Sequence, residues 1–132
     1  MASKTILLIE DNKDILENLT EYFELENYKI LAAGNGRRGL ELAGQFIPDL
    51  IICDFFMPRM NGNEVLHLLL NKRKTSGIPF IFSTSVPEIQ TRMSALKSGA
   101  DEYIVKPYEL EILLDMVQAV IKTGKNQYSV CN

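Results

Sequence analysis

Five short apolar or β-branched runs, each separated from the next by a stretch of helical periodicity, constrain this chain more than any other feature. The runs are Thr5 to Ile9, Tyr28 to Ala32, Leu50 to Cys53, Phe80 to Ser83 and Glu102 to Val105. Several are apolar almost throughout, the pattern of strands buried on both faces of a parallel sheet. Between them, Ile15, Leu16, Leu19, Tyr22 and Phe23 recur at helical spacing, as do Leu110, Leu113, Leu114, Val117 and Ile121 near the end. Strict β-α alternation with short connections implies right-handed crossovers and a doubly wound α/β sheet of five strands. The punctuation agrees. Ser85 or Val86 before Pro87-Glu88 reads as a helix start, and Ser98-Gly99 as its C-terminal cap. A chain of 132 residues fits one compact domain, expected over residues 1–123, followed by a short tail at 124–132.

Composition narrows the function classes. Hydrophobic residues make up 46% and charged residues 23%, as in an ordinary globular protein. A net charge of −3 provides no broad footprint for nucleic acid. No apolar run approaches the roughly 18 residues of a membrane span. Met1-Ala2-Ser3-Lys4 leads straight into a β-like run without a signal-peptide core, so the expected location is the cytoplasm. Cys53 and Cys131 form no metal or disulfide pattern, and Cys53 sits within an apolar run as a small hydrophobe.

In a doubly wound sheet, function gathers at the carboxyl ends of the strands. The first run ends in Glu10-Asp11, the third in Asp54, the fourth in Ser83-Thr84-Ser85 and the fifth in Lys106-Pro107. Singly, each has a plain reading: a solvated loop, a helix cap, a hydroxyl-rich turn, a lysine reaching solvent. Together, three carboxylates at neighbouring strand ends repel one another unless a cation joins them. A hard cation with few protein ligands and several waters, Mg²⁺, suits that set. A hydroxyl and an ammonium facing a metal-bound carboxylate suit the oxygens of a transferred phosphoryl group. Asp54 is then the nucleophile, since a carboxylate can form an aspartyl phosphate.

These residues lie in segments that resemble the receiver domains of response regulators in bacterial two-component phosphorelays, over roughly residues 4–122. The segments are Ile6-Leu7-Leu8-Ile9-Glu10-Asp11-Asn12, Pro48 to Gly62 around Asp54, Pro79 to Ser85, and Gly99 to Pro107. The resemblance implies a flavodoxin-like (βα)5 receiver fold with strand order 2-1-3-4-5 and a cis peptide before Pro107. It implies Mg²⁺ binding by Asp11, Asp54 and the Phe56 carbonyl, with Glu10 acting through water. Thr84 and Lys106 are implied to contact the phosphoryl group, and Tyr103 to be the aromatic whose rotamer follows the switch. The expected function is to accept a phosphoryl group onto Asp54 from a sensor histidine kinase or histidine phosphotransfer protein. The switched face, made by the fourth helix, fifth strand and fifth helix, is expected to meet a downstream effector and to support homodimerisation on phosphorylation. The domain is expected to catalyse only its own phosphorylation and dephosphorylation, and to bind neither nucleic acid nor membrane.

Some positions depart from the family pattern. Glu10 stands where aspartate is common. Phe56 is bulky two residues after the acceptor, where it is expected to shield the acyl phosphate from water. Gly39 replaces a usual alanine within the second helix, at about 1 kcal/mol in a helix interior. Ser85 adds a hydroxyl after Thr84. His67, the only histidine, is expected on the surface, and Lys72-Arg73-Lys74 is expected to close the third helix. Two other classes share parts of the pattern. A haloacid-dehalogenase-like phosphatase needs a second aspartate where Phe56 stands, and in a flavodoxin-like cofactor binder Glu10-Asp11 would repel the phosphate. A degenerate receiver serving only as an interaction module is a third reading, against which every active residue type is present.

Overall fold

The computed structural model describes residues 3–85 and 96–123. Five parallel strands, β1 (Thr5–Ile9), β2 (Lys29–Ala33), β3 (Leu50–Asp54), β4 (Phe80–Thr84) and β5 (Glu102–Val105), form one sheet in the order β2-β1-β3-β4-β5. Four helices are described: α1 (Lys13–Leu25), α2 (Gly36–Phe46), α3 (Gly62–Leu70) and α4 (Leu110–Thr123). The helix start expected at Ser85 to Glu88 falls largely outside the described residues. Gly99 ends a helical turn at φ 109°, a backbone conformation that favours glycine.

Alternation along each strand divides the core in two. Leu7, Ile9, Ile51, Cys53, Phe80 and Phe82 pack with Leu42, Val65, Leu66 and Leu69 of α2 and α3. Ile6, Leu8, Leu50, Ile52, Ile81 and Ile104 pack with Leu19 and Phe23 of α1 and Leu113 and Val117 of α4. Both faces are therefore dry, which accounts for runs that are apolar throughout rather than alternating. Each fully buried Leu or Ile contributes about 1.5–3 kcal/mol.

Local chemistry sets the element ends. The Asn12 side chain caps α1 by accepting from the Ile15 amide at 3.0 Å, and Asn61 and Glu64 form a reciprocal capping box at the start of α3. α3 ends at Leu70, so Lys72 to Lys74 lie in the turn beyond it rather than in its last turn. At the amino ends of the strands, Asp49 and Asp101 act as clasps. Asp49 accepts from the Thr5 amide and returns its own amide to the Thr5 carbonyl, both at 2.8 Å; Asp101 does the same with Phe80. Gly39 has a packing reason: a Cβ there would lie 2.4 Å from Ile9 Cδ1, so α2 reaches β1 only because the side chain is missing. β2 begins at Lys29, one residue later than the sequence pattern suggests. Tyr28 instead stacks edge-on against Phe23 at 5.8 Å and donates its amide to the Phe23 carbonyl.

Candidate functional site

Strand order 2-1-3 places the ends of β1 and β3 side by side, and their following helices leave toward opposite faces. A crevice opens there at the carboxyl edge of the sheet. Backbone bonds just past the strand ends fix the residues around it. The Glu10 amide donates to the Ala33 carbonyl at 3.0 Å, the Phe55 amide to Ser83 at 2.8 Å, and the Lys106 amide to Thr84 at 2.6 Å. The loop after Asp54 folds back through a 2.8 Å bond from the Gly62 amide to the Phe55 carbonyl.

One carboxylate oxygen from each of Glu10, Asp11 and Asp54 lies within 4.8 Å of the others. Glu10 and Asp54 are buried, whereas Asp11 faces solvent, so the group has a dry floor and an open side. Asn12 takes the capping role that an aspartate here could have taken, and its amide also donates to Glu10 Oε2 at 3.1 Å. Lys106 reaches in from the far side of the sheet. Its Nζ is 2.6 Å from Glu10 Oε1 and 3.5 Å from Asp54 Oδ2.

The electrostatics follow from that crowding. Burial first, and the neighbouring Glu10 carboxylate second, push Asp54 from the ordinary carboxylate range up to about 7, against the lowering effect of Lys106. For Lys106, burial disfavours the ammonium, but the hydrogen bond to Glu10 and the charge of Asp54 outweigh it, and its pKa is raised. A group of hard oxygen donors with one open side and a carboxylate reluctant to ionise fits a hard divalent cation, with Glu10, Asp11 and Asp54 as the residues that would hold it.

The other residues singled out from the sequence are distributed around this centre. Thr84 closes β4, fully buried, one position beyond the Ser83 that pairs with Asp54. Phe56 presents its ring at the rim, 51% exposed, and begins an aromatic series. Its ring centroid is 4.9 Å from Phe55, which is 5.0 Å from Phe82, which is 4.9 Å from Phe80 in the core. Tyr103 pairs with Phe82 and is buried in the core that also takes in residues of α2 and α3. The Lys106-Pro107 peptide is cis. Cys53 is buried, its thiol donating to the Asp54 carbonyl at 3.3 Å, and desolvation, then the Asp54 charge, raise its pKa well above the usual value. His67 is exposed, with a ring nitrogen 3.1 Å from the Asn71 amide. Two features escaped sequence reasoning: the close pairing of Lys106 with Glu10, and the hydroxyl of Tyr108, which lies beside buried Ser83. The only signal for the second was a tyrosine directly after Lys106-Pro107.

Residues 6–118 match the model of the response regulator receiver domain, and the chain belongs to that family. It is similar to the protein PilH of Pseudomonas aeruginosa, 33% identical over 88% of this chain and 96% of that one. It is also similar to the DNA-binding regulator RpaA of a Synechocystis species, 33% identical over 89% of this chain but 48% of that protein. A solved structure of the chemotaxis protein CheY4 of Vibrio cholerae superposes with a TM-score of 0.86 at 26% identity, covering 90% of this chain and 99% of that one. This chain spans half or less of the length of several curated relatives it matches, RpaA among them. Among the described residues, no helix is long and apolar enough to cross a membrane.

Proposed function

We propose that this domain is a phosphorylation-controlled switch in which Asp54 accepts a phosphoryl group from a sensor histidine kinase or a histidine phosphotransfer protein. The observation that carries this reading is the carboxylate group within 4.8 Å with Lys106 Nζ 3.5 Å from Asp54 Oδ2. An Asp54 carboxylate oxygen attacks phosphorus, the P–N bond to the donor imidazole breaks, and the imidazole leaves with the bonding pair. Mg²⁺, held by Asp11, Asp54 and the Phe56 carbonyl with Glu10 acting through water, would supply positive charge for the phosphoryl oxygens. Lys106 and Thr84 then hold those oxygens as charge spreads over them. The domain acts on its own aspartyl phosphate and on no separate substrate.

The output rests on coupling. Thr84 drawn toward the phosphoryl group and Tyr103 changing rotamer would repack the face made by the chain between β4 and β5, β5 itself and α4. An effector protein or a second copy of the chain would read that face in the cytoplasm. Moving a 1:99 population to 99:1 takes about 5.5 kcal/mol of differential stabilisation. The test is incubation with acetyl phosphate and Mg²⁺ followed by intact mass. The wild type should gain about 80 Da, the mass of a phosphoryl group replacing hydrogen on a carboxyl. Asp54→Asn should not; an equal yield from that variant refutes the assignment.

A further inference from the structure

The turn that follows Lys106 carries a second polar side chain whose placement bears on the same chemistry, given the reading of Asp54 as acceptor. Ser83 is the strand partner of Asp54, and its carbonyl receives the Phe55 amide at 2.8 Å. Its own side chain is 3% exposed, and its Oγ is buried without a hydrogen bond of regular geometry. Against it sits the Tyr108 hydroxyl, on a ring packed over the core beneath α1 and α4. Tyr108 shares with Lys106, Pro107 and Ser85 the wall of a groove of about 490 Å³. Burial raises the pKa of the phenol, while Ser83 and Lys106 act to lower it, so its oxygen lies within electrostatic reach of the site.

A buried hydroxyl without a partner is disfavoured, and the half-buried phenol of Tyr108 offers Ser83 one. Rotation of the Ser83 hydroxyl would let it donate to the Tyr108 oxygen, the sense in which Ser83 lowers the pKa of the phenol. We infer that Tyr108, through Ser83, is a positioning residue for Lys106. It ties the lysine-bearing turn to the strand that is hydrogen-bonded alongside Asp54, so Lys106 is anchored from both sides. One anchor is its own amide on Thr84, 2.6 Å away; the other is the Tyr108 hydroxyl two residues on. The lysine stem has many rotamers, and transfer requires its ammonium at one place.

The test measures phosphorylation by acetyl phosphate with Mg²⁺ across donor concentrations, in wild type, Tyr108→Phe, Ser83→Ala and the double variant. Losing one such hydrogen bond should lower the maximal rate about three- to tenfold in Tyr108→Phe, leaving the half-saturating donor concentration unchanged. Ser83→Ala, which keeps the ring, should slow the reaction similarly, and the double variant should be no slower than Tyr108→Phe. A wild-type maximal rate in either single variant, or losses that multiply in the double, overturns the inference while leaving Asp54 as acceptor. A wild-type chain that takes no phosphoryl group overturns both.

Discussion

Lys106 lies nearer to Glu10 than to Asp54: its Nζ is 2.6 Å from Glu10 Oε1 and 3.5 Å from Asp54 Oδ2. The ammonium is therefore shared by two buried carboxylates. Removing the ammonium leaves both acids without their counter-charge. Lys106→Ala should lose about 2 kcal/mol of stability in EDTA at neutral pH, below the full value for a buried pair because the lysine retains some exposure. Urea unfolding checks this, and Mg²⁺ should restore part of the loss by supplying the missing charge.

The raised pKa of Asp54 carries a pH dependence with a definite sign. Its folded value, about 7, lies above that of an unfolded aspartate. The folded state therefore holds the proton more tightly, and the associated stability is complete below the unfolded value and lost as pH rises through 7. Asp54→Asn mimics the neutral carboxyl at all pH values. In EDTA the variant should be more stable than wild type at pH 8, and the gap should close toward pH 4. Urea midpoints across that range measure it; a gap independent of pH would remove the explanation.

Glu10 is the second cause of that rise, after burial. Glu10→Gln should accordingly lower the Asp54 midpoint, since it removes a neighbouring negative charge while Lys106 stays available. The carboxyl ¹³C resonance of Asp54, followed against pH without metal, gives the midpoint directly. A midpoint that stays or rises contradicts the ordering.

Phe56 stands at the rim, half exposed, with its ring supported by Phe55 at 4.9 Å. With an acyl phosphate on Asp54, a ring at that rim would limit the approach of water to it. Phe56→Asn should lose phosphate about fivefold faster, equivalent to about 1 kcal/mol in the barrier. Decay of the phosphorylated mass after removal of donor checks it, and equal half-lives would discard the shielding role.

Gly39 sets a packing prediction. Alanine is favoured over glycine in a helix by about 1 kcal/mol, yet Gly39→Ala should destabilise by about 1–2 kcal/mol because the added methyl overlaps buried Ile9. Ile9→Val removes the Cδ1 nearest the added methyl, so the double variant should lose less than the separate losses added together. Urea midpoints of the three variants decide it.

Much of this was legible in the amino-acid order. The apolar runs specified a sheet covered on both faces, because only strands with two dry sides dispense with polar alternation. Helical spacing supplied the covering elements, and the strand-end residues Glu10, Asp11, Asp54, Thr84 and Lys106 marked the edge where chemistry collects. Residues at the borders were less readable: Tyr28 was drawn out of β2 by its contact with Phe23, while Asp54 and Thr84 were drawn into β3 and β4 by pairing with their neighbours. Gly39 looked like a weakness of α2 until its approach to Ile9 was seen. What tertiary structure alone decided are the relations between residues far apart in the chain. That Lys106 leans on Glu10, that Asp54 is held near neutrality, and that Tyr108 meets Ser83 all depend on distances and burial. Residue types and spacing name the groups that can interact, but Coulomb and desolvation energies change steeply over an ångström, and only the folded sheet fixes those ångströms.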